Sequence, residues 1–459
     1  MSAVQKVRLV LLVICWVGVV TFGIYVAEPA SSQDDRPNVL IFMTDDMRER
    51  DELVVMPNTL RIFAEEGTRF THAFASTPQC CPSRASIFTG RYAHNTGVRR
   101  NQDGLKMNQM ATLQRYLQQR AGYKTALVGR YLNAWEVPDD PPFFDRWALF
   151  NAGYYDKEFN VNGEIQRVPQ YATEFIAEKS MEFLEEFDEE DDQQPWLMFV
   201  HPTAPHYPFY SSEEYSETEA PGLEANPGLQ EDNVGDKAGF VADVGYPWEE
   251  GDEVYRKRLR TLMAADDAVG ALFDKLAELG EDQDTLAFFL SDNGFLLGEH
   301  GLYAKRLPYT ESIQIPFFMR WPGRVDAGAT DDRLIGNIDI APTVLDAAGM
   351  AEVSLEQDGR SLFGPRERTR FLTEQWGSWS VNRPTWASLR THEYQYIQYY
   401  FRNSEEIRFR EYYDLVNDPW QTNNLLGDAD ESNDPSPVLI RSLEAQLERD
   451  RACAGLTCP

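Results

Sequence analysis

The sequence has little positive charge, few cysteines and few histidines. Lysine and arginine together number 43 against 74 aspartate and glutamate residues, so the formal net charge is −31. This deficit excludes nucleic acid as the main partner, because phosphate binding needs a basic face. Apolar residues make up 42% and aromatic residues 12% of the 459 positions. That composition excludes a disordered or collagen-like chain and predicts one large or two unequal domains.

The N-terminal segment lacks charge over nineteen residues, from Leu9 to Ala27, and it follows Lys6 and Arg8. A signal-peptide core has roughly 7–15 apolar residues, whereas a membrane-spanning helix needs about 17–25. No clean small-x-small cleavage site follows the segment. A signal peptide within residues 1–33 that is removed and a retained anchor at 9–27 therefore both stay open. Either one predicts an exported protein, secreted or held at the extracellular face of a membrane.

Three of the five cysteines lie in segments whose structural role can be predicted. Cys15 lies in the N-terminal apolar segment, and Cys453 and Cys458 lie in the C-terminal tail "RACAGLTCP". In an exported protein such a tail pair is a candidate for a small disulfide loop, although the sequence does not fix the pairing. Cys80 and Cys81, in "STPQCCPSRASIFTGR", are left without a structural role.

Apolar runs and helical patterns alternate along most of the chain. Apolar runs that predict buried strands lie at 38–44, 123–131, 195–201 and 285–294, and helical patterns lie at 57–67, 169–187 and 254–280. The alternation predicts an α/β domain over residues 34–349, with a large, mostly parallel sheet sandwiched by helices. The acidic run 188–192 is interpreted as a solvated loop. Residues 211–252 lack periodicity and predict a long surface excursion that shapes a substrate entrance.

The pattern changes near residue 350. The stretches "YQYIQYYF" and "REYYDLV" alternate like antiparallel strands, and a helical pattern covers 436–449. Residues 350–459 are therefore predicted to form a smaller C-terminal α+β domain with an antiparallel sheet.

Two of the predicted strands end in oxygen-rich pairs. Asp45 and Asp46 follow the first strand, and Asp292 and Asn293 end a later one. Ligands of open parallel sheets bind at the carboxyl ends of the strands, and four side-chain oxygens there suit Ca²⁺ or Mg²⁺. The alternative is that each pair only caps the turn that follows its strand.

The cysteine pair precedes a short helical pattern. Cys80 is therefore placed near a helix N-terminus, where the dipole and free N–H groups favour anions, and Arg84 returns to the same side. The alternative is a pair of small buried hydrophobic residues.

The order of these motifs resembles the type I sulfatases of the alkaline phosphatase superfamily. The pattern Cys-x-Pro-Ser-Arg followed by "ASIFTGR" is similar to the family signature, in which the first cysteine becomes formylglycine (3-oxoalanine). The other matching segments, in chain order, are "RPNVLIFMTDDMR", "APHYP", "SDNG", "KRLPYTESIQIPFFMRWPG", "NIDIAPTVLDAAG" and "YYDLVNDPWQTNNL". "CCPSR", "GRYLN" and "NPGLQEDNVGDKAGFV" look most like the N-acetylglucosamine-6-sulfatase-type subgroup.

The resemblance implies a role for each matching residue. The residues that would bind one divalent cation, usually Ca²⁺, with Mg²⁺ as the second choice, are Asp45, Asp46, Asp292, Asn293 and the modified Cys80. Arg84 would steady the formylglycine hydrate, which is the nucleophile, and His206 and Lys305 would hold the sulfate group. A hydrated aldehyde has a second hydroxyl that can expel sulfate, and a serine has none. The resemblance also implies a formylglycine-generating enzyme as a partner during maturation.

The sequence departs from the family at several positions. Arg130, a further candidate catalytic residue, stands where the family usually has lysine, and the two side chains differ in geometry at an anion site. Leu132 stands where many members have histidine, which leaves the general base open, but the resembling subgroup itself has leucine there, so only Arg130 is interpreted as a true deviation. Leu296 also replaces a histidine of the subgroup, and His300 is a candidate to replace it in part. His201 and His94 are interpreted as structural histidines.

Three functions stay open on the sequence alone. The first is hydrolysis of the sulfate monoester of a small substrate, a sulfated sugar or an aryl sulfate. The second is hydrolysis of a phosphodiester or phosphonate by the same architecture, and the third is ligand binding on a degenerate, non-catalytic fold. Residues 99–115, 134–168 and 211–252 are expected to set specificity.

Overall fold

The computed structural model describes residues 36–191, 193–242, 245–354, 357–377, 384–401 and 404–459. The segment 9–27, predicted as a signal or an anchor, lies outside these residues. Within the ranges given, no helix combines the length and the apolar character needed to cross a bilayer.

The strands of the described residues form one large sheet and several small ones. In chain order they are Asn38–Thr44 (β1), Thr68–Phe70 (β2), Ala73–Phe74 (β3), Lys124–Gly129 (β4), Arg146–Leu149 (β5), Lys157–Val161 (β6), Glu164–Val168 (β7), Trp196–His201 (β8), Thr285–Ser291 (β9), Leu296–Leu297 (β10), Tyr303–Ala304 (β11), Phe317–Arg320 (β12), Ala329–Asp331 (β13), Ile335–Gly336 (β14), Phe371–Gln375 (β15), Thr385–Arg390 (β16), Tyr394–Tyr400 (β17) and Ile407–Asp414 (β18). The large sheet has the order β13-β2-β12-β9-β1-β8-β4-β5-β6-β7.

The centre of the large sheet is parallel and its margins are mixed. β9, β1, β8, β4 and β5 run parallel, whereas β12 pairs antiparallel with β9, and β6 pairs antiparallel with β5. The predicted parallel core is therefore confirmed. The antiparallel strands β6 and β7 fall in the region 134–168, which carries no clear strand pattern, because β7 is mostly exposed and lacks an apolar run.

Five helices of eight residues or more occur in the described chain. They are Cys80–Thr89 (α1), Ala172–Glu190 (α2), Trp248–Leu279 (α3), Ile340–Ala347 (α4) and Pro437–Arg451 (α5). Shorter helical segments include Pro57–Thr59, which continues as Leu60–Glu65, and Leu113–Tyr116, which continues as Leu117–Ala121.

The central strand β1 is apolar throughout because both faces of the sheet are covered. Leu40 and Phe42 belong to a core that includes residues of α2 and α3. Val39 and Ile41 point the other way, as alternate residues of a strand do, into a core that includes residues of α1 and α4. The predicted sandwich of helix, sheet and helix is confirmed.

Two helices have bounds that differ from those their patterns predict. The helix expected at 169–187 runs from Ala172 to Glu190, so the interpretation of the whole acidic run as a loop is wrong for its first residues. Phe183 and Phe187 bury one face of this last part, while Arg146 of β5 pairs with Glu186 and Glu190 on the other. Paired charges let the acidic turns remain helical. The helix expected from residue 254 already begins at Trp248.

The C-terminal part carries the predicted antiparallel sheet. β15, β16, β17 and β18 pair in sequence order, and α5 contacts β15 and β16. Cys453 and Cys458 form a disulfide just beyond α5. The boundary near residue 350 stays a prediction.

A half-buried carboxyl at the amino end of the sheet, that of Glu281, gives a test of stability. Burial raises the pKa of Glu281 to about 7, against the hydrogen bond that Trp196 Nε1 donates to it, at 3.1 Å. A carboxyl whose pKa is raised on folding stabilises the folded protein at pH values below the pKa of that carboxyl in the unfolded chain, which is near 4.5. That contribution is lost as the pH rises through 7.

We therefore expect Glu281→Gln to raise the free energy of unfolding at pH 8 by about 1–2 kcal/mol, after a discount for partial solvent screening. At pH 4.5 the variant and the parent are expected to differ little. Chemical unfolding at both pH values checks this. An equal change in the free energy of unfolding at both pH values, or a decrease at pH 8, would contradict the view that the Glu281 charge destabilises the folded protein.

Candidate active site

The two oxygen-rich pairs meet because their strands are neighbours. β1 and β9 run parallel in register, with Thr44 opposite Ser291, so Asp45 and Asp292 leave the sheet side by side. The backbone N–H of Asp46 donates to Asp292 Oδ1 at 3.1 Å. Asp46 has a φ of 76°, a left-handed conformation that aspartate tolerates in tight turns.

Cys80 is the first residue of α1 and lies beside these carboxylates. Its Sγ is 3.5 Å from Asp45 Oδ1 and 4.0 Å from Asp46 Oδ1, and Lys305 Nζ donates to it at 2.7 Å. The helix N-terminus adds partial positive charge at this point.

The donor atoms form a compact set that fits a hard cation. One ligand atom each from Asp45, Asp46, Cys80 and Asp292 lies within 4.8 Å of the others, and all four residues are buried. Asn293 Nδ2 donates to Asp46 Oδ1 at 2.8 Å, while its buried Oδ1 has no hydrogen-bond partner among the described residues. An unpaired buried acceptor among carboxylates is the chemistry that Ca²⁺ or Mg²⁺ completes.

Three cationic side chains balance the three carboxylates. Arg84 Nη2 is 3.0 Å from Asp45 Oδ2, and Arg84 Nε is 3.0 Å from Asp292 Oδ2. Arg130 also pairs with Asp45, and Lys305 pairs with Asp46. A divalent cation added to this balanced set leaves net positive charge, which attracts an anion into a strongly acidic protein.

The surroundings set the protonation of the site. Burial raises the pKa of Cys80 to about 12, although Lys305 opposes the shift, so the thiol keeps its proton at neutral pH. Burial lowers the pKa of His206 to about 4 against the attraction of Asp46, and its Nε2 lies 3.8 Å from Asp46 Oδ2. Burial disfavours the charge of Lys305, but Asp46 and Cys80 outweigh it and raise its pKa.

The remaining histidines lie outside this cluster. His201 is fully buried and donates from Nδ1 to the carbonyl oxygen of Arg130 at 3.0 Å, and burial holds its pKa well below the usual range. His94 contacts Glu374 and the carbonyl oxygen of Cys453, and it joins two distant segments. His300 contacts Glu231 and the ring of Tyr309, and not the aspartates that surround Cys80. Its partial replacement of the histidine missing at Leu296 stays a prediction.

Several supporting residues escape sequence reasoning. Asn337 Nδ2 donates to Ser83 Oγ at 2.7 Å, and Ser83 Oγ donates to the carbonyl oxygen of Asp292, so two segments fix α1 against β9. Arg258 of α3 donates to the carbonyl oxygen of Asp46 and pairs with the buried Glu52. Asn337 lies in a matched family motif, which is a signal that could have found it. Arg258 lies in an ordinary amphipathic helix, and nothing in the sequence around it indicates a role at the site.

A cavity of about 270 Å³ opens beside the cluster, at the carboxyl ends of β4 and β5. Its walls are residues 130–137 and 149–152. Arg130 belongs to both the cavity and the cluster, and Leu132 also lines the cavity.

The family comparisons agree with this geometry. The family model described as "Sulfatase" matches residues 37–350, and a second, described as "N-sulphoglucosamine sulphohydrolase, C-terminal", matches residues 298–452. A solved structure described as a complex with its substrate, D-glucosamine-2-N,6-O-disulfate, superimposes with a TM-score of 0.77 at 25% identity. The superposition covers 90% of this chain and 97% of that chain.

Two curated relatives differ in how much of their length is matched. The N-acetylglucosamine-6-O-sulfatase of Bacteroides thetaiotaomicron is 28% identical over 88% of this chain and 85% of its own length. The extracellular sulfatase SULF-1 homolog of Drosophila melanogaster is 31% identical over 75% of this chain. This chain spans only 33% of the length of the Drosophila relative.

Proposed function

The chain belongs to the sulfatase family, and we propose that it hydrolyses the sulfate monoester of a sulfated sugar and releases inorganic sulfate. The observation that carries the proposal is the meeting of Cys80 with carboxylates from β1 and β9. Cys80 lies 35 residues from Asp45 in the sequence, and Asp292 lies far from both, yet their side chains share one buried cluster.

Cys80 is proposed as a precursor and not as the nucleophile itself. A buried thiol that keeps its proton is a poor nucleophile. Oxidation of the Cys80 side chain by dioxygen, with cleavage of its C–S bond and loss of the sulfur as sulfide, would leave the formylglycine aldehyde, whose hydrate is the nucleophile of this family. The modification requires a formylglycine-generating enzyme in the host, which is the one protein partner that the proposal needs.

A divalent cation, Ca²⁺ before Mg²⁺, is proposed to bind Asp45, Asp46, Asp292, Asn293 and the modified Cys80. When bound, the ion would supply positive charge that favours an ionised oxygen at the position of Cys80. The unpaired Oδ1 of Asn293 supports its place in the ligand set.

Four side chains, three of them cationic, are proposed to act on the sulfate and on the carboxylates. Arg84 reaches both Asp45 and Asp292 and so orients the carboxylates about Cys80. Lys305 and His206 would hold the sulfate oxygens and stabilise charge on the leaving oxygen. Arg130 is placed as a positioning residue, because its guanidinium already pairs with Asp45 and its Nε donates to the carbonyl oxygen of Asn151 at 2.8 Å.

The proposal also covers the organisation and location of the protein. Residues 34–349 would form the catalytic domain, 350–459 a smaller domain, and 1–33 an export segment. The extracellular relative supports an exported protein, secreted or held at the outer face of a membrane.

Release of inorganic sulfate from a sulfated monosaccharide tests the proposed function. Matched aryl sulfate and aryl phosphate substrates separate sulfatase from phosphohydrolase activity, since a sulfate monoester carries one negative charge and a phosphate monoester usually carries two. A higher kcat/KM for the aryl phosphate would favour the phosphohydrolase alternative. Absence of turnover on every ester would favour a binding protein on this fold.

Removal of the metal gives a further prediction. Dialysis against EDTA is expected to lower kcat by at least about 100-fold, because the cluster loses the positive charge that stabilises the transition state. Ca²⁺ should restore the rate more fully than Mg²⁺, since the donor set is rich in carboxylates. An unchanged rate in EDTA, with the loss of metal confirmed by elemental analysis, would exclude a metal-dependent site.

A further inference from the structure

Arg258 of α3 lies between two segments that carry residues of the candidate active site. Its side chain is fully buried. Nη2 donates to the carbonyl oxygen of Asp46 at 2.5 Å, and Nη1 donates to the carbonyl oxygen of Pro205 at 3.4 Å. Asp46 lies in the turn after β1, and Pro205 directly precedes His206. One guanidinium therefore joins the segment of a proposed metal ligand to the segment of a residue proposed to hold the sulfate.

A buried carboxylate fixes the direction of this guanidinium. Glu52 accepts from Nε of Arg258 at 2.5 Å and from Nη2 at 2.9 Å, and neither side chain is exposed. Glu52 also accepts from the backbone N–H of Arg48 at 2.7 Å, which ties it to the same turn as Asp46. The Cζ atom of Arg258 lies 4.4 Å from the centroid of the Phe295 ring. A bidentate pair against an aromatic ring leaves the guanidinium one orientation.

The network continues through Arg48 to the loop after β9. Nη1 of Arg48 donates to the carbonyl oxygen of Phe295 at 2.8 Å, and Nη2 pairs with Glu299 at 2.8 Å. Asp51, at the rim of this network, also pairs with Arg48. The turn after β1, the loop after β9 and the segment before His206 are thus held by one set of buried charges, here called the buried quartet: Arg48, Glu52, Arg258 and Glu299.

The side chains of Asp46 and His206 do not fix each other. His206 Nε2 lies 3.8 Å from Asp46 Oδ2, which is too long for a hydrogen bond. The separation of the two side chains is therefore set by their backbone segments. Tyr154 holds the His206 segment through its carbonyl oxygen, at 2.7 Å, but Tyr154 makes no hydrogen bond to the Asp46 turn among the described residues. Arg258 bonds to both segments.

We propose that Arg258 is a positioning residue that sets the distance between Asp46 and His206, and so holds the cation site in register with the group that binds the sulfate. The inference rests on the proposed function for the roles of Asp46 and His206. It adds a residue that touches neither the ion nor the substrate. Lysine cannot take its place, because an ammonium has no planar fork that spans a carboxylate and two carbonyl oxygens.

Arg258→Lys tests the inference because it keeps a positive charge opposite Glu52. Calorimetric titration of Ca²⁺ into protein stripped with EDTA is expected to show about tenfold weaker binding, the size of effect that outer-shell changes have on metal sites. At saturating Ca²⁺, kcat for an aryl sulfate is expected to fall by roughly 10- to 100-fold, since a shift of about 1 Å in a catalytic group has that effect.

Arg320→Lys is the matched control. Arg320 of β12 is also buried, pairs with Glu66 at 2.9 Å and donates to the carbonyl oxygen of Asp282 at 2.9 Å. It lies opposite Ala287 of β9, toward the amino end of that strand and away from the carboxylates. The control should keep the Ca²⁺ affinity and kcat within about twofold of the parent. Losses of equal size in the two variants would overturn the positioning role.

A double-mutant cycle with His206→Ala separates positioning from a general loss of stability. In the His206→Ala background, Arg258→Lys should lower kcat by less than about threefold, because the group that Arg258 positions is gone. The weaker Ca²⁺ binding should persist in that background, since it acts through Asp46. An equal loss of kcat in both backgrounds would mean that Arg258 does not act through His206, and would overturn the inference.

A second variant covers the case in which Arg258→Lys does not fold. Arg258→Met combined with Glu52→Gln removes both charges and leaves no unpaired carboxylate in the buried quartet. It should reproduce the losses in Ca²⁺ affinity and kcat, and parent-like values in this protein would overturn the inference.

The inference and the proposed function fail separately. If Arg258→Lys weakens Ca²⁺ binding and Arg320→Lys does not, but no ester is hydrolysed, the positioning of Asp46 stands and the proposed function fails. If sulfate is released and Arg258→Lys behaves like Arg320→Lys, only the inference fails.

Discussion

Replacement of Cys80 by serine is expected to lower the steady-state rate of sulfate release by about 10⁴-fold or more, the size of effect seen when a nucleophile is removed. The proposed maturation acts on the cysteine thiol, so serine at position 80 is expected to remain serine. It presents one hydroxyl where the hydrated aldehyde presents two, and the second hydroxyl is needed for repeated turnover. Sulfate release over many turnovers, with an aryl sulfate in excess, measures the loss.

Cys81 offers a matched control for this substitution. It is the next residue of α1, it is equally buried, and its Sγ contacts the carbonyl oxygen of Asn133 at 3.7 Å instead of the carboxylates. Cys81→Ser is therefore expected to keep most of the activity. Equal losses in the two variants would mean that serine damages the helix start and would remove the case for a special role of Cys80.

Replacement of Asp45 by alanine is expected to lower the free energy of unfolding by about 3–5 kcal/mol even without metal. Arg84 would keep Asp292 as a partner, but Arg130 would lose the one ion pair that the structure shows for it among the described residues. An uncompensated charge in a buried site is costly, because the protein cannot replace its hydration. The same variant should lose metal binding and almost all activity.

Chemical unfolding in EDTA separates the ion-pair effect from the metal effect. Asp274→Asn, at an exposed position of α3, serves as the control and should change stability by less than about 0.5 kcal/mol. A loss below about 1 kcal/mol for Asp45→Ala would show that the guanidinium groups find other partners. The buried charge network would then have no structural role.

The sequence predicts the central strands and the acid pairs because these signals are local. The continuous apolar run of β1 ends in Asp45 and Asp46, and β9 repeats this pattern, so both the buried strands and the polar turns that follow them can be read directly. The parallel arrangement then places both turns at one edge of the sheet. The family resemblance supplies His206 and Lys305, which no local pattern identifies.

The cavity at the carboxyl ends of β4 and β5 and the ion pairs could not be predicted because they depend on contacts between distant segments. Arg130 and Asp45 are 85 positions apart, and nothing in "GRYLN" states which carboxylate the guanidinium meets. The cavity wall at 149–152 ends β5, a short strand within the region 134–168 that shows no clear pattern. His300 lies near the second acid pair in the sequence, yet its side chain contacts Glu231.

The chemical state of Cys80 in active protein tests the central claim most directly. Tryptic cleavage after Arg69 and Arg84 yields the peptide 70–84, which contains both Cys80 and Cys81. Mass spectrometry of protein that releases sulfate is predicted to find this peptide with an aldehyde in place of the Cys80 thiol and with Cys81 unchanged. A fully unmodified Cys80 thiol in protein that still turns over would contradict the account.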